Sequence, residues 1–342
     1  MKKCICLILT LALLLCGCAQ QQAGEGLTKY NATFLTLFDT VTTIVGFAES
    51  EAAFSDTARS IHDALLEYHQ LFDIYKEYDG ISNLKTVNDA AGRTAVQVDK
   101  RIIDLLLDCR EYYSLTDGMV NVAMGSVLNL WHEARNDGLF DPTCAALPDM
   151  SALESASEHM RFDCVEIDEA ALTVYISDPD ARLDVGAVAK GWALQRVCEN
   201  APAGLLISVG GNVCATGPKD ENGTPWVVGI TDPAGGDSYL HTIWTSGGSV
   251  VTSGDYQRTY VVNGVNYHHI IDPETLFPST LWRSVTIVHP DSGLADALST
   301  ALFLLPREAG QKLLDQCGAY AMWVDGDGNM FYSPGFEELI RS

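Results

Sequence analysis

Three stretches of the chain carry side chains that could act on a bound ligand. The first is Arg182-Leu183-Asp184-Val185-Gly186-Ala187-Val188-Ala189-Lys190-Gly191-Trp192, which reads as a short strand running through glycine and alanine into a helix. Small residues let a ligand approach the backbone, the first N–H groups of a helix lack intrahelical partners, and Asp184 and Lys190 put opposite charges at the two sides. That chemistry is anion binding, although neither a P-loop nor a dinucleotide fingerprint is present. A strand-to-helix connection with a solvated Lys190 and a capping Asp184 would look the same. In the second stretch Asp296, Ser299 and Thr300 lie at i, i+3 and i+4 of a mostly apolar helix, Ser292 to Leu305. They share one face and offer only oxygen, which suits Mg²⁺ or Ca²⁺ better than zinc. The third is Val265 to Pro273, a strand in which His268 and His269 point to opposite sides and Asp272 meets a proline that stops pairing. One histidine could face a site; equally, one could be a bonded core residue and the other exposed.

The intervening sequence must supply the frame for these groups. Phe34 to Phe47 is β-branched and aromatic and predicts one strand with Phe38-Asp39-Thr40 inside it. A helix capped by Ser55 continues through Tyr68 towards Phe72, and 72–88 reads as a loop followed by a short helix. Tyr75 in that loop either contacts a planar ligand or packs on the surface. Asp99 caps a helix that ends at Thr116-Asp117-Gly118. Met119 to Trp131 mixes small and apolar residues, as a core segment or a close approach to something flat would. Asn136 to Glu158 reads as an exposed insertion with a short helix, and Val165–Asp168 with Leu172–Ser177 as a hairpin. A helix covers 188–200. Gly204 to Gly217 is a strand broken at Gly210-Gly211 by a bulge or a close approach. Trp226–Thr231, Leu240–Trp244 and 249–262 continue the sheet, Asn263-Gly264 is a hairpin turn, Ser284–His289 is a strand, and 319–332 closes as a hairpin around Asp325-Gly-Asp-Gly-Asn329. That turn lacks the downstream glutamate of a calcium loop.

The chain of 342 residues opens with Met1-Lys2-Lys3 and an apolar run too short to span a bilayer. Residues 1–17 therefore read as a secretory signal, and Leu15-Cys16-Gly17-Cys18 as a lipobox with Cys18 the lipidated first mature residue. Residues 18–29 read as a flexible tether and 30–342 as one folded domain. Loss of Lys2 and Lys3 leaves 19 basic against 45 acidic residues, a net charge of −26. Such a surface disfavours nucleic acid and repels phosphorylated ligands, so a site for one needs local positive charge or a metal cation. The six later cysteines form no CxxC pair, which argues against zinc or iron–sulfur centres and leaves disulfides unassigned.

Taken together, Leu183-Asp-Val-Gly-Ala-Val-Ala-Lys-Gly, Ser253-Gly-Asp-Tyr-Gln-Arg, His268-His-Ile-Ile-Asp-Pro and Ala295-Asp-Ala-Leu-Ser-Thr-Ala closely resemble the ApbE family of bacterial FAD:protein FMN transferases, over about residues 33–333. The resemblance implies an α+β, T-fold-like architecture of mixed, largely antiparallel sheets with packed helices. It also implies a Mg²⁺-dependent transfer of FMN from FAD to a Thr or Ser hydroxyl of a partner flavoprotein, with release of AMP. Carried over, it puts Phe38, Tyr75, Met119, Val120, Asn121, Asp184, Lys190 and Ile271 against FAD, and the Ala187 carbonyl, Asp296, Ser299 and Thr300 around Mg²⁺. His269 and Asp272 fall near the phosphates, His269 in a catalytic role. It implies a lipid-anchored protein on the extracytoplasmic face of the cell membrane. Three departures from the family pattern stand out: Phe38-Asp39 stands for Met-Gly, Asn121 and Ser299 for aspartates, and Leu276 for a turn glycine, which requires that turn to be built differently. An FAD pyrophosphatase and a non-catalytic FAD-binding lipoprotein are the competing functions.

Overall fold

The computed structural model describes residues 26–236 and 238–341. The signal, Cys18 and most of the tether lie outside the described residues. Strand β1 (Thr28–Leu37) begins within the stretch read as tether and pairs antiparallel with β2 (Thr40–Ala48). Leu37 faces Thr40, so Phe38 and Asp39 form a two-residue hairpin turn, each at φ +52°, and not the middle of one strand. Such turns are normally marked by Asn or Gly, and without them β propensity runs on unbroken. Helix α1 (Glu51–Phe72) is capped by Ser50, whose hydroxyl accepts from Ala53 N; Ser55 lies inside it. Next come α2 (Leu84–Asp89) under an Asn83–Thr86 capping box, β3 (Val96–Gln97), and α3 (Lys100–Leu115) capped by Asp99 as expected.

Helix α4 (Gly125–Phe140) takes in the start of the supposed insertion and is followed by α5 (Met150–Ser157). Strands β4 (Val165–Asp168) and β5 (Thr173–Ile176) form the expected hairpin, with β3 added to β5. Arg182–Val185 is not a strand: a single parallel bridge from Arg182 to Met124 holds it, and α6 (Ala189–Asn200) follows. At Gly210-Gly211 the chain reverses between β6 (Leu205–Val209) and β7 (Asn212–Ala215). β8 (Trp226–Thr231) and β9 (Tyr239–Thr245) form their own hairpin, and β10 (Gly248–Gly254) rejoins the sheet. The small hairpin of β11 (Tyr260–Val262) and β12 (Val265–Tyr267) turns at Asn263-Gly264 and ends before His268, short of the strand expected to Pro273. β13 (Ser284–His289), α7 (Ser292–Leu304), α8 (Arg307–Cys317), β14 (Tyr320–Val324) and β15 (Met330–Tyr332) complete the chain.

Eight strands form one wholly antiparallel sheet in the order β1-β2-β6-β7-β10-β13-β14-β15. The two-residue period of its strands sorts side chains between two cores. Ile207, Val251, Ile287 and Trp323 face a large core beneath α1, α3, α6 and α7, while Val250, Met322 and Val324 face a smaller one closed by the β8–β9 hairpin and Phe336. A third cluster, built on Met124, Trp131, Tyr260 and Leu276, packs α4 against β11–β12. No helix among the described residues is long and apolar enough to cross a membrane.

Candidate active site

An open cleft lies where the β1–β2 and β6–β7 turns and the end of β10 meet the third cluster, with about 1500 Å³ of atom-free space counting its mouth. Its walls bring together Phe38, Tyr75, Met119, Val120, Asn121, Asp184, Ala187, Lys190, His269, Ile271, Asp296 and Thr300 from six separate segments. Two expected residues fall elsewhere. Asp272 does not line the cleft; its Oδ1 accepts from the N–H groups of Glu274 and Thr275 and fixes the turn after Pro273. Ser299 is buried behind the wall, where its hydroxyl donates to the Asp296 carbonyl at 2.9 Å and meets Ser253 Oγ at 2.8 Å. A hydroxyl has one proton, so Ser253 donates to Ser299, and it is Ser253 that lines the cleft.

Asp296 is the costly group. It is 4 % exposed in an apolar helix, and desolvation raises its pKa although Lys190 and the Gly191 N–H favour the anion. Gly191 N donates to its Oδ2 at 2.8 Å, and Lys190 Nζ stands 3.9 Å away. The first turn of α6 therefore does not offer the row of free N–H groups expected from sequence: Val188 and Ala189 also donate to Val185 O. A Cβ on Gly191 would lie 2.3 Å from Ser292 O and 2.4 Å from Asp296 Cβ, so glycine here lets α6 and α7 approach closely enough for that bond. Asp296, the Thr300 hydroxyl and the Ala187 carbonyl fit a hard divalent cation: all are oxygen donors on one wall, and the buried carboxylate lacks a full counter-charge. Ser299 is not on that wall and does not line the cleft.

His269 Nδ1 donates to Gln257 O at 3.2 Å, leaving Nε2 as the acceptor. Burial, then the charges of Arg258 and Lys190, pull its pKa down to about 3, so the ring is neutral. His268 is the opposite case: Nε2 donates to Ser279 O at 2.8 Å, Nδ1 accepts from Ile270 N, and the ring meets the edge of Phe303. The two neighbours have different partners, and both lie beyond the end of β12.

Tyr75 is 53 % exposed, on the mouth of the cleft, and its hydroxyl bonds His132 Nδ1 at 2.6 Å. Burial lowers the pKa of His132 and raises that of the phenol, so the phenol donates to a neutral imidazole. His132 Nδ1 is also 3.9 Å from Asp184 Oδ2, whose Oδ1 accepts from Gly186 N. Asn121 uses both ends of its amide, donating to Met160 O and accepting from Ala123 N, a pattern an aspartate could not complete. Phe38 is held in its left-handed conformation from two sides, by its N–H on His69 Nδ1 and its carbonyl accepting from Arg258. Leu276 adopts a left-handed backbone, φ +62°, which glycine takes without strain, and its carbonyl accepts from Trp131 Nε1.

Sequence reasoning missed His132, Asn212 and Arg258 in this wall. Asn212 is buried with its amide nitrogen unpartnered at the cleft. Arg258 ends the Ser253-Gly-Asp-Tyr-Gln-Arg motif, which was the available signal; His132 and Asn212 had none beyond lying in apolar runs.

The ApbE family matches residues 38–323. The chain is 34 % identical over 310 residues to an FAD:protein FMN transferase of Treponema pallidum (strain Nichols), covering 83 % of each. It is 30 % identical over 268 residues to one from Klebsiella pneumoniae (strain 342), covering 75 % of this chain and 80 % of that one. Among solved structures, the ApbE protein of Thermotoga maritima superposes with a TM-score of 0.80 at 30 % identity, over 92 % of this chain and all of that one. The flavin transferase ApbE of Vibrio cholerae, 21 % identical, shares the fold with a TM-score of 0.75, over 92 % of this chain and 99 % of that one.

Proposed function

The chain belongs to the ApbE family, and from that premise we propose that it is an enzyme that transfers FMN from FAD to a Thr or Ser hydroxyl of an acceptor flavoprotein. The observation that carries the chemistry is a single cleft holding both a buried Asp296 with Lys190 beside it and a neutral His269 with Nε2 free. The hydroxyl oxygen forms a bond to the phosphorus on the FMN side, the bond to the bridging oxygen breaks, and AMP departs with that oxygen. His269 Nε2 accepts the hydroxyl proton or orients it, while the Gln257 carbonyl holds the tautomer. Lys190 faces the phosphates, and Tyr75, steered by His132, and Phe38 border the flavin. Asp296, Thr300 and the Ala187 carbonyl would hold Mg²⁺, which would neutralise the diphosphate and the leaving AMP. Asp184 holds the 184–190 turn by accepting from Gly186 N and stands beside the Tyr75–His132 pair.

The deciding experiment is intact-mass analysis of a candidate acceptor incubated with the protein, FAD and Mg²⁺. A gain of one FMN per acceptor with equimolar AMP is expected. Free FMN with no acceptor adduct would make the protein an FAD pyrophosphatase, and no AMP at all would make it a binding protein. The reading also places the mature chain on the extracytoplasmic face of the cell membrane, through a lipid on Cys18; Leu15-Cys16-Gly17-Cys18 supports this.

A further inference from the structure

Two segments distant in sequence, the β1–β2 turn and the loop after α1, are joined at the cleft by one chain of polar contacts. The Phe38 N–H donates to His69 Nδ1 at 3.3 Å. That bond puts the ring proton on Nε2, which faces the Tyr78 hydroxyl at 3.5 Å, and Tyr78 in turn donates to Asp73 Oδ2 at 2.8 Å. The other oxygen of Asp73 accepts from the N–H groups of Tyr75 and Lys76 at 2.7 and 3.0 Å, and so shapes the loop that carries the Tyr75 ring. His69 and Asp73 line the cleft, and Tyr78 stands behind them. His69 belongs to the last turn of α1, whose inner face is set in the main core, so it is the fixed point of the chain. A histidine at a helix C-terminus ordinarily gains from carrying a charge. Here burial pulls its pKa down; Asp73 on the loop and Asp39 on the turn oppose this, and Lys76 adds to it. Burial and the bond to Asp73 raise the Tyr78 phenol to about 12, so it remains a donor.

The turn needs this hold, because Phe38 and Asp39 both sit at φ +52°, a conformation disfavoured for residues with a Cβ. Phe38 is gripped at its N–H by His69 and at its carbonyl by Arg258, and its ring meets the His69 ring edge-on at 5.6 Å. We propose that His69 is a positioning residue for the flavin end of the cleft: its Nδ1 fixes the Phe38 turn, while Tyr78 and Asp73 tie that turn to the Tyr75 loop, so both aromatic rings are set before a planar ligand arrives. This rests on the transferase reading, which puts Phe38 and Tyr75 against the flavin of FAD. Protonation of His69 replaces the accepting lone pair at Nδ1 with a second N–H, which cannot receive the Phe38 N–H, and the turn is released. Flavin affinity therefore holds at neutral pH and falls on acidification below the ordinary histidine value of 6.5. Lys190 and Asp296 take no part in this chain of contacts, so binding of the diphosphate and adenosine is independent of it. His132 and His269 also line the cleft with lowered pKa values, so a variant of His69 itself must separate its titration from theirs.

The test uses the full-length protein. Flavin fluorescence reads FAD affinity, competition by ADP reads the nucleotide half, and thermal unfolding without ligand reads the fold. His69→Ala, which removes the accepting nitrogen, is expected to weaken FAD binding about tenfold at neutral pH while ADP affinity stays within about twofold. In the wild type, FAD affinity is expected to fall about tenfold from about pH 7.5 to about pH 5. His69→Asn offers an oxygen in place of Nδ1 and does not titrate, so it is expected to stay within about threefold of the wild type at the higher pH and to lose most of the acid dependence. Unchanged FAD affinity in His69→Ala overturns the inference, as does an acid loss of wild-type size in His69→Asn, which would move the titration to His132 or His269. Equal weakening of FAD and ADP also overturns it, by making His69 a support of the whole cleft. If His69→Ala does not fold, the pH profiles of the wild type and His69→Asn decide alone. Binding needs no turnover: acid-sensitive FAD affinity that depends on His69, without FMN transfer to any protein, keeps the positioning role and removes the transferase reading, whereas FMN transfer with pH-independent FAD affinity does the reverse.

Discussion

His269 is neutral because its ring is desolvated in the cleft wall and faces two cations. Asn in its place keeps the donor to Gln257 O but loses the acceptor at Nε2. His269→Asn should lower turnover about 10²–10⁴-fold, with FAD affinity little changed, measured by AMP release and flavin titration. The same burial makes a stability prediction. The folded pKa lies below the unfolded one, so between pH 6.5 and 3 the unfolded chain binds a proton that the folded chain refuses, and stability falls with pH across that window. From pH 7 to 5 the wild type should lose up to about 2 kcal/mol more than His269→Asn in urea unfolding. The same change at His268 would keep an acceptor for Ile270 N but strand Ser279 O in the core, so it should cost stability. Asp296 obeys the opposite logic: its buried charge disfavours folding until a cation neutralises it. Mg²⁺ should raise the Tm of the wild type and leave that of Asp296→Asn unmoved, a readout independent of turnover.

At the scale of elements, two close approaches build the cleft. Helices α6 and α7 meet at Gly191, and Gly191→Ala should cost about 1–3 kcal/mol by forcing them apart, with weakened Mg²⁺ binding as Asp296 loses its N–H partner. Chemical denaturation with and without Mg²⁺ would show both effects. The β1–β2 turn carries strain at two successive non-glycine residues. Asp39→Gly should therefore stabilise the protein by about 1 kcal/mol, seen as a higher urea midpoint at unchanged slope. The same turn is pinned on Gly210, φ +56°, where a Cβ would meet Thr40 Oγ1 at 2.5 Å, so the β6–β7 reversal is also a packing contact.

For the whole molecule, the large negative charge makes Lys190 and Arg258, which line the cleft, the local exception through which an anionic substrate can enter. Anchoring by Cys18 would hold that cleft near the membrane. Cys18→Ala is expected to release the protein to the soluble fraction or leave its signal uncleaved; normal processing and membrane partition of that variant would remove the anchor from the account.

By itself the sequence determined which side chains are available and the local elements that carry an internal signature. Asp99 capping α3, the Asn263-Gly264 turn, and the strand of alternating residues at Ser284–His289 are written in neighbouring residues, so a local rule finds them. The oxygen set on α7 was legible for the same reason, because i, i+3 and i+4 share a helical face wherever the helix packs. Only tertiary structure decided which way that face turned: Asp296 and Thr300 reach the cleft, but Ser299, drawn to Ser253, lies behind it. It likewise decided that Asp272 serves a turn, that His132 grips Tyr75 from 57 residues away, and that Phe38-Asp39 reverses the chain. Those outcomes depend on partners distant in sequence, whose approach is fixed by the packing of the cores and not by any period along the chain.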